Sequence, residues 1–383
     1  VLLAMGAFWN ALTPPSSWDA MTYHLEWPLQ WLEGRVRNET AFGDLSPPFY
    51  PALPQLFFGT ALASTAFTVV DSLPLLLWLF LFWGLRGIAS CQGQKSGLIL
   101  LIFALSPLFF SATLVAEADL LLTVLFTLAL WNFLLYKKTR HSFYLLHAVL
   151  ATGLMAATKY SGLLYGCALL FWAFAVLRVP PRVWPLIPGS VCGMFFYLRN
   201  LIWTGNPLYP AHLPLLHWSG LYDLNFYKAH TFHTFRFYDF FTDPHYAPLL
   251  FLTLFLSALS LRSQKRQIIF KGFILILLLF LTFYFLIPLR QLRQLMPLSI
   301  ALYYTTTLAS PASRGTERFL TLILFLQFLL ALLRLTELYG PLFEPSINLT
   351  EFSRQTFKLL YLDPLAVLPA LLLFLFFNLL LHL

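Results

Sequence analysis

The stretch SATLVAEADLLLTVLF, residues 111–126, consists of two apolar runs joined by a short turn that carries Glu117 and Asp119. The run before the turn covers residues 97–115, and the run after it covers residues 119–136. Each is close to the length of about 20 apolar residues that a helix needs to cross a hydrocarbon core of roughly 30 Å. The stretch therefore predicts two membrane-spanning helices that meet at a tight turn at one membrane face.

The composition extends this prediction to the whole chain. Of the 383 residues, 59% are hydrophobic and only 10% are charged, and the mean hydropathy is +0.74. A soluble globular protein carries roughly 25% charged residues. A chain this apolar cannot bury its surface in a water-soluble fold, so we expect an all-α polytopic membrane protein.

Apolar runs between polar breaks predict about twelve transmembrane helices. The first is expected to be truncated, and the last can be interpreted as truncated too. The predicted spans are 1–12, 72–89, 97–115, 119–136, 143–158, 161–177, 183–203, 246–261, 268–288, 296–310, 319–336 and 364–383. Residues 50–70 are apolar, but four prolines lie at or just before their start: Pro47, Pro48, Pro51 and Pro54. A span here would also break the alternation of loops described next, so we interpret the segment as an interfacial or re-entrant helix. The chain is thus predicted to be a single transmembrane domain, 1–383.

The short loops alternate in charge, which predicts their sidedness. Basic residues gather in every second loop, and the positive-inside rule assigns those loops to the cytoplasm. The longer loops, 13–71, 204–245 and 337–363, then face outward. Of the 16 acidic residues, only Glu317 falls on the cytoplasmic side. We therefore expect the chemistry on the outer face. The basic residues lie in short loops between apolar runs, which argues against nucleic acid as a partner.

The first outer loop contains SSWDAMTYHLEWPLQWLEGRV, residues 16–36. Ser16 can cap a helix whose first turn contains Asp19, and Asp19 shares a helix face with Tyr23. His24 could assist chemistry at this helix start, but the favoured interpretation is that it faces the lipid headgroups. Three tryptophans suit an interfacial helix at headgroup depth: Trp18, Trp27 and Trp31. From these residues alone, Asp19 is either a catalytic carboxylate or a helix-start carboxylate favoured by the helix dipole.

The acid pair Glu117 and Asp119 is the second candidate group. Two carboxylates spaced i, i+2 between apolar runs are costly at a membrane face without a partner. The pair therefore predicts a metal, a basic group or a polar substrate. Hard oxygen ligands of this kind fit Mg²⁺ or Mn²⁺. The alternative is a solvated turn.

Basic side chains near the outward ends of spans form the third group: Lys159 in AATKYSGLLYG, Arg199 in YLRNLIWTGNPLYP, and Arg290 and Arg293 in IPLRQLRQLMP. Arginine binds phosphate through its forked guanidinium and lysine binds it as a point charge, although such residues also snorkel to headgroups. No nucleotide-binding glycine motif and no HExxH motif occurs. A group transfer at this face would need a donor already in the membrane, such as a lipid-phosphate-linked sugar.

Together these segments resemble the polytopic GT-C glycosyltransferases, in particular the bacterial branch related to protein O-mannosyltransferases and aminoarabinose transferases. The segments that carry the resemblance are PPSSWDAMTYHL, AEAD, ATKYSGL, RNLIWTGNPLYP and RQLMP. Two of them depart from the family pattern. Gln294 stands where many relatives have an aromatic residue, and Glu-Ala-Asp replaces a plain Asp-x-Asp.

The resemblance implies a GT-C-like fold and a hexosyl or pentosyl transferase that takes its sugar from a polyprenyl-phosphate donor and inverts the anomeric carbon. Asp19 would be the catalytic general base. Lys159, Arg293 and Arg199 would bind the donor phosphate. Glu117 and Asp119 would orient the acceptor or hold Mg²⁺ or Mn²⁺. The expected setting is the bacterial inner membrane, with membrane lipids around it and a lipid, glycan or protein acceptor outside.

Two other functions remain open at this point. A secondary transporter would place its charges near the bilayer midplane and often shows internal repeats. Here the charges gather at the outer rim, and no repeat is seen. A lipid-linked-glycan ligase or polymerase would also use outer-face arginines, but we would expect its function in one large late loop rather than at Asp19.

Overall fold

The computed structural model describes residues 24–32, 50–64, 67–93, 97–112, 118–180, 183–212, 216–220, 246–260, 266–287, 292–309, 320–321 and 323. The catalytic candidate Asp19, Glu117, Arg290 and the predicted spans 1–12 and 364–383 lie outside the described residues. So do most of the span 319–336 and most of the three long loops.

Most of the described residues are helical, so the predicted all-α fold is confirmed. The α-helices are α1 Glu26–Leu32, α2 Leu53–Ser64, α3 Phe67–Cys91, α4 Gly97–Ala104, α5 Pro107–Ala112, α6 Ala118–Thr139, α7 Ser142–Thr158, α8 Tyr160–Phe171, α9 Val183–Thr204, α10 Ala247–Ser260, α11 Arg266–Leu281 and α12 Met296–Ala309. Helices α8 and α11 each continue into a π-helical turn, Trp172–Val176 and Thr282–Leu286, and a 3₁₀ turn, Leu292–Leu295, precedes α12.

Several helices have the dimensions of membrane spans. Leu73–Cys91, Ala118–Thr139 and Arg266–Leu286 are long and apolar enough to cross a membrane, by length and composition. Helices α7, α9, α10 and α12 also coincide with predicted spans. Helix α2 has 12 residues, about 18 Å of helix, which is too short to span the core. That length agrees with the interfacial or re-entrant interpretation of residues 50–70.

The predicted span 97–115 is not one helix, which corrects the sequence analysis. The chain breaks between α4 and α5, just before Pro107. Proline cannot donate a backbone hydrogen bond, and it disfavours helical backbone at the preceding residue, here Ser106. The last turn of α4 tightens instead, with the Ser106 amide bonding the Phe103 carbonyl at 3.2 Å.

Helix α6 is the central helix of the described bundle, packed against α3, α7 and α12. Its two buried threonines are satisfied within the helix, since the Thr123 and Thr127 hydroxyls donate to backbone carbonyls one turn earlier. Burial of polar groups in an apolar bundle is inexpensive only when they are bonded in this way. The helix can therefore be buried along most of its length.

Helices α7 and α9 cross at a point where each of them has a glycine. A Cβ at Gly153 would lie 2.0 Å from the carbonyl oxygen of Gly189. Small residues at a crossing let two backbones approach closely, which drives helix association in lipid, where a hydrophobic force between helices is lacking. The opposite side of α9 exposes large apolar side chains such as Ile187, Val191 and Ile202, as expected of a lipid-facing surface.

The two ends of the bundle are distinct. We call the end that carries Asp119, Lys159 and Arg293 the site end. At the opposite end, the Trp172 indole donates to the Lys271 carbonyl at 2.7 Å, and the Tyr303 hydroxyl donates to the Leu85 carbonyl at 3.0 Å. These contacts join the turn after α8 to α11, and α12 to α3. The site end corresponds to the predicted outer side.

Candidate active site

Three of the predicted site residues come together at the site end. The Nζ of Lys159 lies 3.1 Å from Oδ1 and 3.2 Å from Oδ2 of Asp119. The Nε of Arg293 lies 3.4 Å from Oδ2 of the same carboxylate. Residues from the start of α6, the α7–α8 junction and the turn before α12 therefore form one charged cluster. We call Asp119, Lys159 and Arg293 the charged triad.

Asp119 lies in the first turn of α6, with 4% of its side chain exposed. The positive end of the helix dipole favours a carboxylate at this position. A buried carboxylate is nevertheless costly unless it is paired. The prediction that the acid pair needs a partner is met for Asp119 by basic groups.

Lys159 owes its position to a break in the helix. It ends α7 and begins α8 with an extended backbone, φ −163° and ψ 155°. The reversal is tight, because a Cβ at Gly162 would lie 2.0 Å from the Met155 carbonyl oxygen. The ATKYSGL segment thus forms a sharp corner, and the Lys159 side chain extends from that corner to α6.

Arg293 lies in the 3₁₀ turn that precedes α12. The next residue, Gln294, accepts a 2.8 Å hydrogen bond on its carbonyl oxygen from the hydroxyl of Tyr165, and Tyr165 is fully buried in α8. This bond fixes the turn against the same helix that begins beside Lys159. Sequence reasoning did not single out Tyr165, because a contact 129 residues apart leaves no local signal.

The charged triad has more positive than negative charge and an accessible side. The side chains of Lys159 and Arg293 are 26% and 30% exposed, against 4% for Asp119. The carboxylate is enclosed, whereas part of each cation remains accessible. An anion with several acceptor oxygens, such as phosphate, suits two cations held in this way.

His24, just before α1, also belongs to this end. It is 4% exposed and lies close enough to Asp119 to interact with it electrostatically. Its ring packs edge-on against Phe58 of α2, with the centroids 6.2 Å apart. The expectation that His24 faces the headgroups is therefore wrong, because packing of α1 on α2 encloses it. Asp19 lies five residues before His24 in the sequence, outside the described residues.

Arg199 is placed beside the charged triad rather than in it. Its guanidinium lies over the rings of Phe196 and Trp203, at 5.3 and 5.5 Å. It donates to Oδ1 of Asn200 at 2.9 and 3.1 Å and to the Tyr50 carbonyl at 3.4 Å. These contacts hold it at the end of α9. The structure therefore joins two of the three predicted phosphate ligands and sets Arg199 apart.

A polar network connects Arg199 to the corner at Lys159. Asn200 donates 3.2 Å hydrogen bonds to the hydroxyl of Tyr160 and to the carbonyl of Tyr209, and the Tyr160 hydroxyl bonds the same carbonyl. Desolvation raises the pKa of the Tyr209 phenol above its ordinary value, so the phenol stays neutral at physiological pH. The network ties the neighbour of Lys159 to the GNPLYP turn.

The GNPLYP turn is organised by Asn206, which sequence reasoning also missed. Its side chain is fully buried and donates to the carbonyls of Ala211 and Ser219 at 2.7 and 2.8 Å. Its Oδ1 accepts from the Leu208 amide at 2.9 Å. An Asn between Gly and Pro is typical of a turn, so the sequence pattern could have predicted a turn at Asn206.

The predicted metal ion rests on Glu117 together with Asp119. Glu117 lies outside the described residues, and the described part of the chain contains no group of three or more His, Cys, Asp or Glu that could hold a metal. Both Asp119 oxygens face basic groups in this structure, so a divalent ion there would have to compete with Lys159 and Arg293. Mg²⁺ or Mn²⁺ remains a prediction.

A bundle of apolar helices with a buried carboxylate and two cations at one end defines a polytopic membrane protein with a charged site at one end of its helices. Comparison with known proteins identifies the family of this membrane protein. The chain belongs to the family Domain of unknown function (DUF8201), whose model matches residues 55–334. No curated protein matches it.

Two solved structures share the fold. The crystal structure of ArnT from Cupriavidus metallidurans bound to undecaprenyl phosphate is 14% identical, with a TM-score of 0.57. The apo structure of the same ArnT is 15% identical, with a TM-score of 0.53. Each match covers 82% of this chain and 60% of the ArnT chain. ArnT is an aminoarabinose transferase with the GT-C fold, so the predicted GT-C-like fold is confirmed.

Proposed function

We propose that this protein is a membrane glycosyltransferase that moves a sugar from a polyprenyl-phosphate donor to an acceptor hydroxyl on the outer face of a bacterial inner membrane. The observation that carries the proposal is the charged triad, in which Lys159 and Arg293 converge at one end of a GT-C-like bundle. The bundle shares its fold with an ArnT structure that is bound to undecaprenyl phosphate.

In this proposal Lys159 and Arg293 bind the donor phosphate with the parts of their side chains that remain accessible. When the bond between the sugar and the phosphate breaks, negative charge grows on the phosphate oxygens. Fixed cations stabilise that charge in the transition state more than in the ground state. Asp119 holds the two cations together and offsets their mutual repulsion. Arg199 takes a secondary part, from the end of α9.

Asp19 is proposed as the general base. It accepts the proton of the acceptor hydroxyl while the acceptor oxygen bonds the anomeric carbon from the face opposite the phosphate. The bond from the anomeric carbon to the phosphate oxygen breaks, and the configuration inverts. A carboxylate suits this role because the proton must leave as oxocarbenium character develops. His24, five residues after Asp19 in the sequence, lies close enough to Asp119 to interact with it electrostatically, and this supports the proposal.

Glu117 and Asp119 are proposed to orient the acceptor or to hold Mg²⁺ or Mn²⁺. Carboxylate oxygens would hold such an ion in place. Transfer measured before and after treatment with EDTA, and again after adding back each ion, tests the metal. If sugar transfer is unchanged after EDTA, the proposal of a metal ion is rejected. The glycosyltransferase proposal is not affected by that result.

The proposed function is tested by mass-spectrometric profiling of polyprenyl-phosphate sugars in cells that carry the native chain, no chain, or the variant Asp19→Asn or Lys159→Met. Arg178→Gln, an exposed basic residue at the opposite end, is the matched control. Each variant is first shown to reach the membrane at native levels. We expect one lipid-linked sugar to accumulate in the null strain and in both site variants, but not in the control.

The other outcomes separate the candidate functions. Accumulation in the null strain but not with Asp19→Asn would retain the enzyme and reject Asp19 as the base. No accumulation in any strain would reject a lipid-linked sugar donor and favour a secondary transporter. Accumulation of an assembled lipid-linked glycan rather than a single sugar would favour a ligase or polymerase.

A further inference from the structure

Helix α2 carries a buried glutamine whose polar end has no partner. Gln55, the third residue of α2, is 2% exposed, and within the described part of the chain its carboxamide oxygen accepts no hydrogen bond. A glutamine at this position can bond back to a backbone amide at the helix start, but Gln55 does not. Burial of an unbonded carboxamide oxygen is costly. The cost indicates that Gln55 serves a partner outside its own helix.

Helix α1 carries a second buried polar atom of this kind. The side chain of Trp27 is buried, and its indole N–H finds no acceptor among the described residues. Helices α1 and α2 pack closely, since a Cβ added at Gly59 would lie 2.9 Å from the Cβ of Pro28, the residue after Trp27. One helix thus has an unused donor and the other an unused acceptor, and these two groups do not bond each other.

Four serines also have buried hydroxyls without a hydrogen-bond partner in the described structure: Ser106, Ser161, Ser257 and Ser299. A serine hydroxyl can rotate toward a neighbouring backbone carbonyl and so become satisfied locally. The indole N–H of a packed tryptophan cannot rotate in this way, and a carboxamide oxygen cannot bond a carbonyl at all. Trp27 and Gln55 are therefore the two groups that most need a partner from outside the fold.

The position of Gln55 on α2 places it beside the charged triad. One turn earlier, Ala52 packs in an apolar cluster with Ala157, near the end of α7. One turn later, the ring of Phe58 packs on the ring of His24, with 6.2 Å between the centroids. Residues three apart lie on the same helix face. Gln55 therefore faces the region between α1 and the corner that follows α7, where the lysine of the charged triad begins.

We propose that Gln55 and Trp27 bind hydroxyl groups of the sugar on the lipid-linked donor. The inference rests on the proposed function, in which Lys159 and Arg293 hold the donor phosphate. Since the sugar is bonded directly to that phosphate, it must lie next to the charged triad. A sugar hydroxyl both donates and accepts hydrogen bonds, so hydroxyls can supply the proton for the Gln55 oxygen and the acceptor for the Trp27 indole.

Gln55 is then a specificity-determining residue. A site built to bond a hydroxyl rejects the analogue that lacks it, because the buried polar group of the protein is left unpaired. The charged triad cannot make this distinction, since it binds the phosphate that every donor of this class carries. Selection among sugars falls to groups such as the Gln55 carboxamide.

The test separates binding of the sugar from binding of the phosphate. Isothermal titration calorimetry on the purified full chain in neutral detergent uses two probes, undecaprenyl phosphate and the lipid-linked sugar purified from the null strain. We expect Gln55→Met and Trp27→Phe each to weaken binding of the lipid-linked sugar about tenfold. The affinity for undecaprenyl phosphate should stay at the native value in both variants.

Gln30→Met and Trp31→Phe are the matched controls, both in α1. The amide of Gln30 already donates to the Glu26 carboxylate at 2.9 Å, and Trp31 is 37% exposed, so neither side chain needs a partner from the donor. Both controls should keep the native affinity for each probe. If they weaken sugar binding as much as the site variants do, the effect belongs to α1 in general and the proposal is overturned.

The stability of Gln55→Met without any probe provides a second, independent result. It should be at least that of the native protein, because methionine is similar in size and has no unbonded polar atom. A less stable variant would show that the amide is bonded within the fold, which would overturn the proposal. Equal weakening of both probes by Gln55→Met, or weakening of neither, would overturn it as well.

These results leave the proposed function untouched, because that function is tested by the accumulation of a lipid-linked sugar in the null strain. If no such sugar accumulates, the proposed function fails and the inference about Gln55 and Trp27 fails with it.

Discussion

Lys159 and Asp119 lie 40 residues apart in the sequence, yet the lysine Nζ lies 3.1 and 3.2 Å from the two carboxylate oxygens. The pair joins the first turn of α6 to the corner between α7 and α8. Because the carboxylate is enclosed and the ammonium is partly exposed, the pair lies at the boundary between the bundle interior and its accessible end. That position leaves part of the ammonium group accessible, as its proposed role in binding phosphate needs.

The first prediction concerns the strength of this pair. Asp119→Asn and Lys159→Met, made singly and together, form a double-mutant cycle. We expect a coupling free energy of about 1–2 kcal/mol, because one partner is buried and the other only partly exposed. The measurement is the free energy of unfolding of the purified protein in mixed micelles of neutral detergent and dodecyl sulfate.

Arg199 provides the matched control for this cycle. Its described contacts are with Asn200, Tyr50 and two aromatic rings rather than with Asp119. When Asp119→Asn is combined with Arg199→Met, the two changes in the free energy of unfolding should therefore add to within about 0.5 kcal/mol. Equal coupling in the two cycles would mean that the effect of Asp119 is general and that the geometry of the charged triad does not hold.

The second prediction separates the two arginines in donor binding. Arg293→Lys keeps the charge beside Asp119 but removes the forked guanidinium. We expect the affinity for undecaprenyl phosphate to fall about tenfold, since lysine offers one point charge where arginine offers two parallel donors. Arg199→Lys should lower the affinity less, because that guanidinium bonds Asn200 and the Tyr50 carbonyl. The measurement is a tryptophan-fluorescence titration, and equal losses would contradict the assignment.

Local pattern was sufficient to predict most of the fold. Apolar run length and alternating basic loops predicted the helices from α3 to α12, because in lipid a span must be a continuous apolar segment. The same reasoning could not separate α4 from α5. A proline inside an apolar run either kinks a helix or ends it, and packing decides which. Here the chain turns at Ser106.

The candidate site was predicted as residue types but not as contacts. Asp119, Lys159 and Arg293 stood out because charged groups are rare in apolar surroundings. Their pairing, and the exclusion of Arg199 from it, depend on how α6, α8 and the turn before α12 meet. A single sequence does not encode such long-range geometry in any local pattern.

The third prediction tests the crossing of α7 and α9. Gly153→Val places side-chain atoms against the Gly189 backbone, where a Cβ alone would lie 2.0 Å from the carbonyl oxygen. Backbone cannot move aside as a side chain can, so we expect destabilisation of about 3 kcal/mol and reduced yield in the membrane. Gly97→Ala is the control, since nothing lies within 4 Å of its added Cβ. Native-like stability of Gly153→Val would contradict the close crossing.

The fourth prediction treats Tyr165 as a positioning residue for Arg293. Tyr165→Phe removes the 2.8 Å hydrogen bond to the Gln294 carbonyl, which costs about 1 kcal/mol and loosens the turn that carries Arg293. We expect KM for the lipid-linked donor to rise about fivefold while kcat changes less. Tyr303→Phe is the matched control, because that buried tyrosine donates at 3.0 Å to the Leu85 carbonyl at the opposite end. Both variants should lose similar stability, but only Tyr165→Phe should raise KM. An equal rise in KM would show that Tyr165 acts through general stability alone.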